Sequence, residues 1–334
     1  MSDHNALQDL VADVLDSASA PDELCAKFDE LGLFAVGIDE NRGGSGGSLR
    51  DLAAIVEAVG FAAGSVPIVE FAVARWILAA TPDRGVGHGA ATAVLVDASA
   101  ADVAAGPLTV SSVAGARAVD TVILWTNDGG AVALSTAGDG VVVEAGEDLA
   151  GFASDTVSAS AEAARLVLDH SLDSHSVADR FALLRAAALT GAVRGAYALT
   201  RDYVRTREQF GAPLVKLPAV ASGIATMRTK VLETSAALSA ALAIGDGAEV
   251  DGTTSVLAAR IVASRCASDA ARMAHQLHGA MGTTMEYPLH GLTKALWTWR
   301  DADLPESEWS RRLGERVVRD GEPSAWRETE GSSS

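Results

Sequence analysis

The chain has 334 residues, 49% of them hydrophobic and 21% charged, which excludes a disordered segment and suits two or three packed units. Lys and Arg total 26 against 44 Asp and Glu, a net charge of −18 that excludes a general nucleic-acid binder, because phosphate contacts need a basic face. The two cysteines, Cys25 and Cys266, lie far apart and predict no structural disulfide and a reducing cytoplasm; the N-terminus lacks a signal-peptide pattern, and the apolar runs are too short for a bilayer.

The first eighty residues read as helices. Leu7, Leu10, Val11, Val14 and Leu15 recur at helical spacing. Pro21 with Asp22 and Glu23 marks a second helix start, and Gly32 its stop. Asn41 to Gly47 is a glycine-rich loop, followed by helices over Leu49–Gly60 and Glu70–Ala80. The character then changes to short Val-rich runs bounded by Gly, Asn or Asp: Thr92–Asp97, Leu108–Val113, Asp120–Thr126, Ala131–Ser135, Gly140–Glu144 and Ala164–Asp169. They predict a small antiparallel β unit with a hairpin turn at Asn127–Gly130. From Ser176 the helical period returns, with helices over Val177–Arg207, from Pro218 to Gly245, over Thr253–His278 and over Leu289–Trp299. The expectation is an α+β chain: an N-terminal helical domain (1–88), a central small antiparallel β domain (89–174), a C-terminal four-helix bundle (175–327) and a frayed tail (328–334).

Two constellations carry polar chemistry. In the first, Arg201 and Arg205 share a helix face, and the helix breaks into Arg207-Glu208-Gln209-Phe210-Gly211-Ala212-Pro213. Arginine at such an end can grip phosphate bidentately, and it can equally cap the helix and pair with surface acids. The second is His275-Gln276-Leu277-His278-Gly279-Ala280-Met281-Gly282-Thr283-Thr284, followed by Glu286-Tyr287-Pro288-Leu289. Its glycines permit close backbone approach to a ligand, and they also suit an ordinary helix stop. A zinc site of His275, His278 and His290 would lack a fourth ligand and a convincing spacing, so no metal is expected.

Taken in order, these segments resemble the acyl-CoA dehydrogenase family. REQFGAPLVKLPAVASGIATM is similar to the family's Arg, any, Gln, Phe, Gly signature and the helix after it, HQLHGAMGTTMEYPLHGL to its Gln, any, His, Gly, Gly segment with the "EYPL" beyond, and FDELGLFAVGIDENRGGSGGSLRDLAAIVEAVG to its N-terminal stretch. The resemblance spans nearly the whole chain and implies the family's three-part fold, an FAD held between subunits, an acyl-CoA substrate that loses an α-proton to a carboxylate and a β-hydride to the flavin, an oligomer, and electron-transfer flavoprotein as acceptor. It implies that Arg207, Gln209 and Phe210 touch a neighbouring subunit's FAD, with Arg207 near the pyrophosphate, and that Gln276, His278, Gly279 and Gly282 line its adenine and pyrophosphate side.

The sequence departs from the family in three places. The segment that should stack on the flavin ring is reduced to ASAADVAAGPLTVSSVAGARAVDTVILW, in which Trp125 reads as a packed strand residue. The catalytic Glu-Gly is missing, and a gapless count from Gln276 lands on Asp303 in TWRDADLPESEW, with Asp301 and Glu306 nearby; the alternative base position upstream of Arg207 falls on Phe181. Ala280 replaces a glycine, and Leu217-Pro218 stands where Phe-Gln is usual. Asp303 is one methylene shorter than the family's base, and a misplacement of roughly 1 Å can cost about 100-fold. The motifs kept are those that reach a neighbour's FAD, and the motifs weakened are those that build the chain's own pocket. This pattern resembles the short subunits of actinobacterial heteromeric acyl-CoA dehydrogenases, which act in fatty-acid or steroid catabolism; a flavin-free structural or regulatory subunit is the alternative.

Overall fold

The computed structural model describes residues 2–17, 20–81, 89–244 and 254–321. Four helices open the chain: α1 (Ser2–Ser17), α2 (Pro21–Glu30), α3 (Leu49–Ala62) and α4 (Ile68–Ala79). Pro21 stands at the first turn of α2, where its missing N–H costs nothing. Ser48 and Asp51 cap α3 reciprocally.

The central unit has two facing sheets. One orders its strands β1 (Ala91–Leu95), β3 (Thr121–Trp125), β4 (Ala131–Ser135), β7 (Arg165–Leu168); the other orders them β2 (Leu108–Ala114), β6 (Ser154–Ala159), β5 (Val141–Glu144). Strand β3 is buried along its whole length, which explains the unbroken apolar run TVILW. Val122 and Leu124 face a core between the sheets, while Ile123 and Trp125 face the helices. One expectation needs correction: β1 pairs with β3 in parallel, and the remaining ladders are antiparallel. The chain between them runs through α5 (Ala100–Ala105), capped by Ser99, and through β2 in the other sheet, so it returns in the same direction. Strand β6 escapes a hydrophobic-pattern reading, because its buried face of Asp155, Val157 and Ala159 carries only one large apolar side chain.

The C-terminal unit is built on α6 (Ser176–Thr206), whose first two-thirds are almost wholly buried. Around it pack α3, α7 (Pro218–Ile244), α8 (Thr254–His278) and α9 (Leu289–Asp301). A fifth helix, α10 (Glu306–Asp320), extends the expected four-helix arrangement and packs on α8. Buried Arg316 ties α10 to Asp179 of α6, with Nη2 at 2.9 and 3.0 Å from the two carboxylate oxygens. Helices α3 and α6 approach so closely that a Cβ on Gly191 would lie 2.0 Å from the Glu57 carbonyl oxygen, and one on Gly60 2.1 Å from that of Ala188. Glycine is required there by packing. The expected tail, 328–334, lies outside the described residues.

Candidate functional site

A cavity of about 490 Å³ lies where the three units meet. Its walls come from the start of α4, from β1 and β2, from the loop before β6, from α6, and from the connection between α9 and α10. Arg185, in the first third of α6, lines it and grips two acids. Its Nε lies 3.0 Å from Asp303 Oδ2 and its Nη2 3.1 Å from Oδ1, a bidentate pair, and Nη2 also donates to Glu70 of α4. All three side chains are largely buried, at 3%, 7% and 14% exposure for Arg185, Asp303 and Glu70. Burial alone would lower the Arg185 pKa, but Asp303 and Glu70 outweigh it and hold the guanidinium charged, above arginine's ordinary value.

Asp303, the expected base, therefore does line the cavity, but as one arm of an ion pair. It sits at φ +67°, a backbone conformation that L-residues rarely adopt. Arg260 of α8 holds the segment in place. Its fully buried guanidinium donates from Nη2 to the carbonyls of Trp299, Arg300 and Ala302, at 3.3, 3.0 and 3.1 Å, and so closes the open end of α9. The nearby Asp301 pairs with Arg300, and Glu306 with Arg265. Phe181 is buried in the helical core. Trp125 is 2% exposed and packs against the His170 ring with centroids 4.9 Å apart, so it offers no face for a flavin ring to stack on.

The other expected residues gather at one end of the helical bundle. Helix α6 ends at Arg207, and a two-residue hairpin follows, β8 (Glu208–Gln209) against β9 (Ala212–Pro213). Arg207, Gln209 and Phe210 are exposed, Phe210 at 89% and with φ +56°. Beside them α8 ends in the 3-10 turn Gly279–Thr283, where Gln276 and Gly279 are exposed and Gly282 is buried. Gly279 has φ +57° and nothing within 4 Å of its missing side chain, so its backbone is open to a ligand. The two turns are joined by the Tyr203 ring stacked on His278, centroids 4.3 Å apart. His278 Nδ1 lies 2.8 Å from the Ala274 carbonyl, so Nδ1 carries the proton and Nε2 is a buried acceptor without a partner among the described residues. Burial outweighs that carbonyl contact and lowers the His278 pKa below 6.5, keeping the ring neutral. His275 and His290 turn to Thr293 and to the Tyr287 carbonyl.

Sequence comparison agrees with this architecture. Residues 4–83 match the model of the acyl-CoA dehydrogenase N-terminal domain, and residues 176–301 that of the acyl-CoA dehydrogenase C-terminal domain. The chain belongs to the acyl-CoA dehydrogenase family. Acyl-CoA dehydrogenase FadE34 of Mycobacterium tuberculosis is 32% identical over 313 residues, a match covering 85% of this chain and 42% of that protein; the chain thus spans less than half of that relative's length. Acyl-CoA dehydrogenase IpdE2 of the same organism is 28% identical over 267 residues, 78% of this chain and 76% of that protein. Among solved structures, the Tcur3481-Tcur3483 steroid ACAD (G363A variant) superposes with a TM-score of 0.82 at 21% identity, covering 96% of this chain and 98% of that one. The ChsE4-ChsE5 complex from Mycobacterium tuberculosis superposes at 0.81 and 20%, covering 94% and 97%. At these identities the superpositions speak to fold alone.

Arg185, Glu70 and Arg260 are the site residues that sequence reading misses. Arg185 left one visible trace, a single cation inside the apolar run FALLRAAAL, but nothing in the sequence names its partners 115 and 118 residues away.

Proposed function

We propose that this chain is a subunit of an FAD-dependent acyl-CoA dehydrogenase and contributes to a flavin site at a subunit interface rather than completing one of its own. The observation that carries the reading is the bidentate Arg185–Asp303 pair, because a carboxylate committed to a buried guanidinium is a poor proton acceptor. The covered face of Trp125 points the same way. At the bundle end the residues fit a flavin nucleotide belonging to a neighbour. Arg207, Gln209 and Phe210 are exposed, Gly279 offers open backbone, and His278 Nε2 has no hydrogen-bond partner among the described residues. FAD, when bound, supplies the hydride acceptor. Arg207 would neutralise pyrophosphate charge, with Gln209, Phe210, Gln276, Gly279 and Gly282 giving shape and hydrogen bonds. The acyl-CoA substrate and the electron-transfer flavoprotein belong to the same reading, as does the division into domains at residues 88 and 174. Two of the most similar folds are solved as complexes of two different chains, which supports a heteromer.

The test is the visible absorbance of the purified chain, alone and after co-expression with a full acyl-CoA dehydrogenase subunit from the same organism. Flavin bound only in the complex supports the interface reading. Flavin bound by the chain alone would overturn it and return Asp303 to the role of base, to be checked by loss of turnover in Asp303→Asn. No flavin in either sample leaves the flavin-free subunit as the account.

A further inference from the structure

A buried arginine must place five N–H donors and a positive charge that it does not shed at neutral pH. Among the described residues four arginines are buried: Arg180, Arg185, Arg260 and Arg316. Three are provided for. Arg185 pairs with Asp303 and Glu70, Arg316 with Asp179, and Arg260 donates to three carbonyls and to Ser264 Oγ. Arg180 differs. It is 1% exposed, and none of its Nε, Nη1 and Nη2 has a hydrogen-bond partner among the described residues. Its sequence neighbour Asp179 is already held through both oxygens by Arg316. What Arg180 does touch is a ring: its guanidinium carbon lies 4.4 Å from the centroid of Trp76 on α4. That contact offsets part of the buried charge but leaves the N–H groups unsatisfied. Burial pushes the Arg180 pKa down to about 9, still above neutral pH, so the cation persists.

A second buried donor stands at the same level of the bundle. Ser255 Oγ, in the first turn of α8, is in a residue 3% exposed and has no hydrogen-bond partner among the described residues. Helices α6 and α8 pack side by side and run in the same direction. Tyr203 of α6 stacks on His278 of α8, and these two are 75 residues apart. Arg185 and Arg260 are spaced identically and reach consecutive residues of one connection, Asp303 and Ala302. Arg180 and Ser255 keep the same spacing, so the helices carry them to one level. The start of α8 adds the positive end of its dipole there.

We infer that Arg180, with Ser255 and the start of α8, binds a small monovalent anion of the halide class inside the helical bundle. Every group assembled there is a donor or a positive charge, and the one aromatic face is taken by the guanidinium itself. One negative charge balances one guanidinium, whereas a doubly charged sulfate or phosphate would bury an excess charge at high cost. Exposures of 1% and 3% suit an ion and not a nucleotide or an acyl group. The ion's role is structural: it supplies the counter-charge that Asp303, Glu70 and Asp179 supply to the other buried arginines. The inference is independent of where flavin binds.

Thermal melting of the full chain, followed by circular dichroism in sodium chloride and in sodium gluconate at equal concentration, reads the site, because gluconate is too large to enter it. The expected result is a saturable rise with chloride, about 5 °C at a hundredfold excess over its dissociation constant, that gluconate does not produce. Arg180→Met keeps the stem and removes the charge, and should melt alike in the two salts. Ser255→Ala loses one donor and should weaken chloride about 10-fold. Equal melting of the unaltered chain in both salts, a chloride rise that survives Arg180→Met, or an undiminished chloride affinity in Ser255→Ala would each overturn the inference. Crystals of the unaltered chain grown in sodium bromide decide the matter even if the variants do not fold. An anomalous bromine peak beside the Arg180 guanidinium supports the site, and bromide found only at the surface overturns it.

Discussion

The buried pair at Arg185 offers a quantitative test of the site. In Arg185→Leu the leucine fills part of the volume, but Asp303 and Glu70, largely buried, lose the cation they share. Removing one partner of a buried ion pair costs about 3–5 kcal/mol, far more than the 0–1 kcal/mol of a surface pair. For a chain of this size about 2 °C of melting temperature accompanies each kcal/mol, so the melting point should fall by about 6–10 °C at neutral pH. The sign of the pH dependence follows from linkage. Two buried carboxylates without a cation favour protonation in the folded state, so the folded variant takes up protons before the unfolded chain does. Its deficit is largest at neutral pH and shrinks as pH falls towards the carboxylate range. Thermal denaturation followed by circular dichroism at pH 7.5 and pH 5 measures both quantities. The double variant Arg185→Leu with Asp303→Asn removes one stranded charge and should recover about half of the loss. A drop below about 2 °C that is the same at both pH values would refute the claim that this pair is buried and mutually dependent.

Three further outcomes follow from the geometry. Arg207→Ala, at an exposed helix end, should leave the chain's melting point within about 1 °C while lowering FAD affinity in the co-expressed complex about 10- to 100-fold, measured by flavin release on dilution. His278 has a pKa depressed by burial, so the stability it lends is complete above the ordinary value of 6.5 and is lost as pH falls below it; His278→Gln should flatten the melting-temperature profile between pH 7 and 5. Gly191→Ala forces a Cβ to within 2.0 Å of the Glu57 carbonyl and should cost about 1–3 kcal/mol in urea denaturation, whereas Gly314→Ala, in open space on α10, should cost nothing or stabilise.

Much of the fold was legible because each element announces itself locally. Helix limits fell within two residues wherever a cap or proline marks them, as at Pro21, Ser48 and Pro218. What stayed hidden lacks an apolar period. Helix α10 buries Trp309 and Arg316 seven residues apart within a highly charged segment, and β6 alternates small polar residues. The candidate site divides in the same way. Motifs made of consecutive residues, such as Arg207–Gly211 and Gln276–Gly282, can be read from order alone. The Glu70–Arg185–Asp303 cluster joins residues from two separated helices and the connection between α9 and α10, and only folding reveals that Asp303 already has a partner.

Helix α6 also serves as a ruler between the two sites. Arg185 and Arg207 stand 22 residues apart on one continuous helix, ending at the Arg207 cap. At 1.5 Å per residue this separates them by about 33 Å. The open turns at the bundle end therefore cannot be reaching for whatever occupies the central cavity at Arg185. Retaining an arginine, a glutamine and an exposed aromatic at that distance makes chemical sense if the ligand they meet is anchored on another polypeptide. On the proposed interface reading, the locked Asp303 and the outward-facing Arg207 are two sides of one division of labour, in which this chain lends its helix ends to a neighbour's flavin.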